Sequence, residues 1–251
     1  MKVTRKVPGQ GATSPGKGHM LLRALLHPVK YKPFFGASLR KFNSEVHSSI
    51  HDLPKINAEE LTDQSVPFTL MNCSTHAGNM PVHESAFLAS LIASRKPKHL
   101  LELGTCDGNT TLQMALNTSD DAKVHTLDLP SEALGYIPYD SPRRRYENTP
   151  VEEKIMQHIG DSTEIDFSQF SKHGPIDFIF IDANHDYEFV KNDTLKSLKI
   201  LSENGVILWH DYRIDVPGVF KWLNEFSNEL PLAHIKGTTF AIYVKNQDRS
   251  E

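Results

Sequence analysis

Two short segments of the sequence bring carboxylate and imidazole side chains close together. Asp182 and His185 are three residues apart in the first segment, and His210 and Asp211 are adjacent in the second. Carboxylate oxygens are the ligands that Mg²⁺ prefers, and an imidazole ligand shifts the preference towards Mn²⁺, Fe²⁺ or Zn²⁺. These residue types predict a divalent metal site, for Mg²⁺ or Mn²⁺, formed by Asp182, His210 and Asp211. The alternative interpretation of His210 is a histidine at the end of a strand that lies near the metal but does not bind it.

A turn with two glycines lies within the segment Glu102-Leu-Gly-Thr-Cys-Asp-Gly-Asn-Thr110. Its spacing is Gly-x-x-x-Gly, which differs from the Gly-x-Gly-x-x-Gly of dinucleotide-binding proteins. A pyrophosphate would bring negative charge beside Glu102 and Asp107, whereas a positively charged ligand would be stabilised there. S-adenosylmethionine (SAM), with its sulfonium and ammonium groups, is such a ligand. The alternative interpretation is a purely structural turn between a strand and a helix.

Two further carboxylates lie where the next two predicted strands end: Asp128 is the last residue of one strand, and Asp161 follows the other. Asp128 is placed to accept both hydroxyls of an adenosine ribose. Asp161 either accepts from the adenine amino group or caps the helix that follows it. The predicted SAM-binding residues are Glu102, Gly104, Thr105, Asp107, Gly108, Thr110, Asp128, Asp161, Ser162 and Asp182.

The elements that must position these residues alternate between helix and strand after about residue 80. Apolar spacing predicts helices over Glu84–Arg95, from Thr110, near Ser162–Phe170, over Tyr187–Leu201 and from Pro217. Strands are predicted at His99–Gly104, Lys123–Asp128, Lys154–Gly160, Ile176–Asp182, Gly205–Asp211, Leu232–Lys236 and Thr239–Val244. This alternation predicts an α/β fold with a doubly wound sheet, whose strand ends would bring the carboxylates and histidines to one edge.

Residues 80–245 resemble the class I SAM-dependent methyltransferases, and in particular small-molecule O-methyltransferases that include enzymes acting on macrolide sugars. The resemblance rests on five segments in order: 102–108, Asp128, 160–162, 181–187 and 205–212. It implies a Rossmann-like, mostly parallel sheet of seven strands that ends in an antiparallel hairpin. It also implies metal ligands at Asp182 and Asp211 and a catalytic general base at His185. The alternative interpretation of His185 is a histidine at a helix N-terminus that faces solvent.

The sequence therefore predicts a SAM-dependent O-methyltransferase that transfers a methyl group to a hydroxyl of a small molecule, either a sugar or a secondary metabolite. One alternative is an NAD(P)-dependent oxidoreductase on a Rossmann-like fold. The other is an RNA-binding or RNA-modifying protein that uses the basic N-terminus, where residues 1–50 hold nine Lys or Arg and one acid. A solvated tail also explains that charge. Residues 182–185 differ from the Asn/Asp-Pro-Pro-aromatic segment of base methyltransferases, which disfavours a nucleic-acid partner.

Length and composition set the expected organisation. Of the 251 residues 39% are hydrophobic, and no apolar run approaches the roughly 20 residues that span a bilayer, so we expect no membrane span. Two cysteines and no recognisable leader indicate a cytoplasmic protein. We expect a disordered basic tail over 1–18, a helical or irregular N-terminal extension over 19–79 and the methyltransferase domain over 80–247. The long insertion at 130–153 is expected to form a lid or a solvated loop, and a homo-oligomer is compatible with the sequence.

Overall fold

The computed structural model describes residues 52–73, 78–130 and 144–246. The predicted tail at 1–18 and most of the predicted extension and insertion lie outside these ranges. The eight strands within them are β1 (Lys55–Ile56), β2 (His99–Leu103), β3 (Lys123–Asp128), β4 (Ile155–Ile159), β5 (Ile176–Ile181), β6 (Leu201–Trp209), β7 (Ala233–Ile235) and β8 (Ala241–Val244). The α-helices are α1 (Val82–Arg95), α2 (Asn109–Leu116), α3 (Tyr187–Ile200) and α4 (Pro217–Phe226). Short 3-10 helices cover Ala58–Glu60, Glu152–Lys154 and Phe167–Ser171.

All eight strands belong to one sheet, in the order β1-β7-β8-β6-β5-β2-β3-β4. Strands β2 to β6 are parallel, and β8 is antiparallel to both β6 and β7. The predicted Rossmann-like fold with a C-terminal antiparallel hairpin is therefore confirmed. The strand order reverses between β2 and β5, and in open α/β sheets ligands bind beyond the carboxyl ends of the strands at such a point.

Two details of the prediction need correction. The sheet has eight strands instead of seven, because Lys55 and Ile56 pair in parallel with β7. A two-residue strand is too short to show alternation of apolar and polar residues, so the sequence could not reveal it.

In place of the α-helix predicted near Ser162–Phe170, the structure has a turn followed by a 3-10 helix at Phe167–Ser171, because Asp161 and Asp166 accept hydrogen bonds from the backbone N–H groups two residues later. Such turns compete with helix formation.

Apolar side chains bury both faces of the sheet. On one face, Leu101 and Ile179 pack in a cluster with residues of α3 and α4. On the other face, Leu100 and Phe178 pack in a second cluster with residues of α1 and α2. Because successive side chains of a strand point to opposite faces, a central strand covered on both sides needs an unbroken apolar run. Phe178–Ile181, which is buried throughout, is such a run.

A histidine pair near the edge of the sheet links stability to pH. Nδ1 of His125 lies 3.0 Å from Nε2 of His158. Burial, and then the charge of His158, lowers the pKa of His125 from 6.5 to about 4. Between these values the unfolded chain binds a proton that the folded chain does not, so stability present above pH 6.5 is lost as the pH falls towards 4.

We therefore expect the substitution His125→Gln to reduce the loss of unfolding free energy between pH 6.5 and pH 4. The pKa difference corresponds to about 3 kcal/mol at most. Urea unfolding of both proteins at several pH values across this range measures the effect. Parallel stability curves for the two proteins would contradict it.

Candidate active site

A cavity of about 780 Å³ opens at the edge of the sheet where β2, β3, β5 and β6 end. Among the residues that line it are eleven of the thirteen predicted site residues: Gly104, Thr105, Asp107, Thr110, Asp128, Asp161, Ser162, Asp182, His185, His210 and Asp211. Glu102 and Gly108 do not line it. The topology of the sheet thus assembles residues that are up to 107 positions apart in the chain.

The two glycines of the turn after β2 are required by close backbone packing. Gly104 has φ +98°, and a Cβ atom there would lie 2.2 Å from the carbonyl oxygen of Asp182. Gly108 begins α2 with φ +78°, and its Cβ would lie 2.7 Å from the ring of Tyr146. Glycine is the residue that adopts both conformations without steric cost. The turn therefore lies directly against the end of β5.

Glu102 lies under this turn and is fully buried. Its Oε2 accepts hydrogen bonds from the hydroxyls of Thr126, at 2.5 Å, and of Thr111. Burial raises the pKa of Glu102 to about 8, so the carboxyl is mostly protonated at pH 7. The contacts tie α2 to β3, and the predicted role of Glu102 in SAM binding stays a prediction.

Asp107 forms an ion pair that the sequence did not predict. Its Oδ2 pairs with Nε of Arg145 and accepts from Nδ2 of Asn79 at 3.2 Å. Its Oδ1 accepts from the backbone N–H of Asn109 at 3.0 Å. The charge that we expected to face the ligand is therefore already paired with a cation. The arginine run before Tyr146 was the only sequence signal for this contact.

The carboxylates at the carboxyl ends of β3 and β4 both line the cavity. Asp128 accepts hydrogen bonds from the backbone N–H groups of Cys106 and Leu129, both at 2.8 Å. Burial outweighs these bonds and raises its pKa. Oδ1 of Asp161 accepts from the backbone and the hydroxyl of Thr163, at 2.8 and 2.7 Å. Asp161 thus caps a turn where the prediction had the beginning of a helix, and it also lines the cavity.

The opposite side of the cavity contains what we call the acid–imidazole centre: Asp182, His185, His210 and Asp211. Nε2 of His185 lies 3.3 Å from Oδ1 of Asp182 and 3.5 Å from Oδ2 of Asp211. Nδ1 of His210 lies 3.2 Å and 3.7 Å from the same two oxygens. Nε2 of His210 lies 3.1 Å from Oε2 of Glu84, a residue that the sequence analysis missed.

The charges in this centre stabilise one another. Burial opposes the ionisation of Asp182, but the adjacent His210 and His185 outweigh it and lower the pKa of Asp182 to about 2. The hydrogen bond to Asp182 raises the pKa of His185 above 6.5. Burial by itself would lower the pKa of His210. The contacts with Asp182 and Glu84 outweigh burial and raise this pKa to about 10.

Three of these side chains have the arrangement of a metal site. One ligand atom each from Asp182, His185 and Asp211 lie within 4.8 Å of one another. Two carboxylates and an imidazole fit Mg²⁺ or Mn²⁺ by donor type. The predicted ligand His210 is not in this group, because its two nitrogens face Asp182 and Glu84. The structure therefore brings His185, predicted as the base, to the position where His210 was expected.

Comparison with known proteins agrees with this fold. Residues 101–212 match a family described as "Methyltransferase domain". A caffeoyl-CoA O-methyltransferase of Stellaria longipes is 29% identical over 124 residues, which cover 48% of this chain and 46% of that relative. The match thus spans less than half the length of the curated relative.

Solved O-methyltransferase structures share the fold. One from Bacillus cereus, in complex with S-adenosylhomocysteine (SAH), has a TM-score of 0.53 at 20% identity and covers 68% of this chain and 84% of its own. TomG from Streptomyces achromogenes, which is involved in tomaymycin synthesis, was solved with SAM; its TM-score is 0.51 at 17% identity, over 69% and 82% of the two chains.

Residues 101–212 are thus similar to a methyltransferase domain, and the sheet shares the fold of the solved O-methyltransferases. None of the helices in the described ranges is long and apolar enough to cross a membrane.

Proposed function

We propose that this protein is a SAM-dependent O-methyltransferase that acts on a hydroxyl of a small molecule. The observation that carries the proposal is the shared cavity, which joins the glycine turn and Asp128 to the acid–imidazole centre. One side has the residue types that suit SAM, and the other has those that suit a hydroxyl acceptor. Methyl transfer requires both molecules in one enclosed site, because the oxygen must approach the methyl carbon in line.

The cofactor side fits SAM through its backbone and carboxylates. Gly104 and Thr105 of the turn after β2 line the cavity, and so do Asp128 and Asp161. In our proposal Asp128 accepts the ribose hydroxyls, and Asp161 faces the adenine ring. Thr110 and Ser162 complete the predicted contacts. Asp107, already paired with Arg145, supports the turn.

The acceptor side provides the means to activate a hydroxyl. A divalent cation held by Asp182 and Asp211 would lower the pKa of an acceptor hydroxyl and orient it. His185, whose side chain is 42% exposed, lines the cavity. Because its Nε2 is directed at Asp182 and Asp211, the nitrogen that takes the proton of the acceptor in our proposal is Nδ1. The acceptor oxygen then forms a bond to the methyl carbon of SAM, the carbon–sulfur bond breaks, and SAH leaves.

Two acceptor classes follow from the similarities. The relative from Stellaria longipes is named for caffeoyl-CoA, which carries adjacent phenolic hydroxyls. The sequence resemblance instead included enzymes that methylate sugars. We propose a hydroxylated small molecule, and methyl transfer from labelled SAM to a panel of catechols and glycosides distinguishes the two classes.

The first test is thermal stabilisation by ligands, because it requires no knowledge of the acceptor. SAM and SAH, each at 100 times its Kd, should add about 2.7 kcal/mol of stability, and NADH should add none. Mn²⁺ should add a further shift in the wild type but not in the Asp182→Asn variant. Stabilisation by NADH alone would favour the oxidoreductase alternative. An equal Mn²⁺ shift in both proteins would exclude Asp182 as a ligand.

A further inference from the structure

Glu84 is a buried acid at the beginning of α1, and nothing in the sequence pattern marks it as functional. It is the third residue of the helix, a position from which a glutamate normally accepts the backbone N–H of the capping residue. The capping residue here is Pro81, which has no N–H. The Glu84 side chain instead turns inward and is 1% exposed.

Both oxygens of Glu84 contact other elements of the fold. Oε2 lies 3.1 Å from Nε2 of His210, which follows β6. Oε1 accepts the backbone N–H of Thr239, just before β8, at 2.5 Å. A buried carboxylate is tolerated where charged or polar partners satisfy it, and these two contacts supply them. Glu84 therefore joins α1, the end of β6 and the C-terminal hairpin.

The contact with His210 has a consequence for the acid–imidazole centre. With Nε2 directed at Glu84, the other nitrogen of the ring, Nδ1, is directed at Asp182 from 3.2 Å. Oδ1 of Asp182 is also the atom nearest to His185, at 3.3 Å. The four side chains form a continuous chain of contacts, Glu84–His210–Asp182–His185, and His210 has little room to reorient because its side chain is 10% exposed.

We propose that Glu84 is a positioning residue: it fixes the imidazole of His210, and through it the carboxylate of Asp182, in the orientation that the site requires. This inference rests on the proposed function and deepens it. Residues that orient a metal-binding carboxylate typically contribute 10–100-fold to metal affinity or activity. Glu84 acts through His210 and is not itself a catalytic residue.

The test compares wild-type protein with the Glu84→Gln variant, which keeps the size of the side chain. The oxygen of the glutamine can still accept from Thr239, but a donor NH2 group replaces the oxygen that faces Nε2 of His210. The charge-assisted contact that holds the His210 ring is therefore lost. Crystal structures of both proteins with SAH should show the Nδ1–Oδ1 distance between His210 and Asp182 extended beyond hydrogen-bonding range in the variant. Calorimetry should show Mn²⁺ affinity about 10–100-fold lower and SAH affinity unchanged.

A double-mutant cycle shows whether the effect passes through His210. In a His210→Asn background, Glu84→Gln should have no additional effect on Mn²⁺ affinity, because the residue through which it acts is already absent. Additive effects would overturn the proposal. Glu84→Asp, which keeps the charge, serves as a second variant if the glutamine variant does not fold.

Two further outcomes separate this inference from the proposed function. If Glu84 only holds the hairpin at Thr239, the glutamine variant melts at a lower temperature but keeps the His210–Asp182 contact, which overturns the inference. If wild-type protein binds no Mn²⁺, the metal in the proposed function is wrong. The crystallographic distance then still decides whether Glu84 positions His210.

Discussion

Replacement of His185 by alanine is expected to lower the rate of methyl transfer about 10²–10⁴-fold, the usual contribution of a general base. The reason is that His185 lines the cavity and is the more exposed of the two imidazoles of the acid–imidazole centre, at 42% against 10% for His210. SAH affinity should change little, because the histidine lies on the acceptor side. Turnover with the acceptor found in the panel, together with calorimetry for SAH, measures both quantities.

The same variant distinguishes two roles for His185, which lies within ligand distance of both carboxylates. If it acts as the base, Mn²⁺ affinity stays close to that of the wild type while turnover falls. If it is a metal ligand, Mn²⁺ affinity falls together with turnover, which contradicts the assignment as base. His173→Ala, which removes an exposed histidine outside the cavity, is the matched control and should leave turnover unchanged.

Replacement of Gly104 by alanine should have the largest effect on the fold and on SAM binding. An alanine at φ +98° carries a conformational cost of about 1–2 kcal/mol. In addition, its Cβ would lie 2.2 Å from the carbonyl oxygen of Asp182, so the ends of β2 and β5 would have to separate. We expect a loss of unfolding free energy well above 2 kcal/mol and loss of stabilisation by SAH.

Gly237 provides the matched control for this substitution. It also has a positive φ, +79°, but a Cβ there would meet nothing within 4 Å. Gly237→Ala should therefore show the conformational cost alone, about 1–2 kcal/mol, with SAH stabilisation retained. Denaturant unfolding of both variants separates the two effects. Equal losses would show that contact with β5 does not require a glycine at position 104.

Much of the fold was predictable because periodic apolar patterns record which faces are buried. The strand Lys123–Asp128 was predicted with its observed bounds, and the helix predicted over Tyr187–Leu201 ends one residue earlier in the structure. The pattern did not predict the two-residue strand at Lys55–Ile56, which exists only because β7 offers it hydrogen bonds. It also predicted a helix after Asp161, where side-chain hydrogen bonds to the backbone favour turns.

The sequence by itself determined the class of fold and the set of residues that could do chemistry. Short-range spacing is enough for this, because a glycine turn or a carboxylate after a strand depends on neighbours in the chain. The tertiary structure alone decided how those residues are paired. Arg145 neutralises Asp107 across 38 positions of the chain, and Glu84 reaches His210 across 126. Charge pairs of this kind depend on distances in space, which the folding of the sheet creates and which no local pattern encodes.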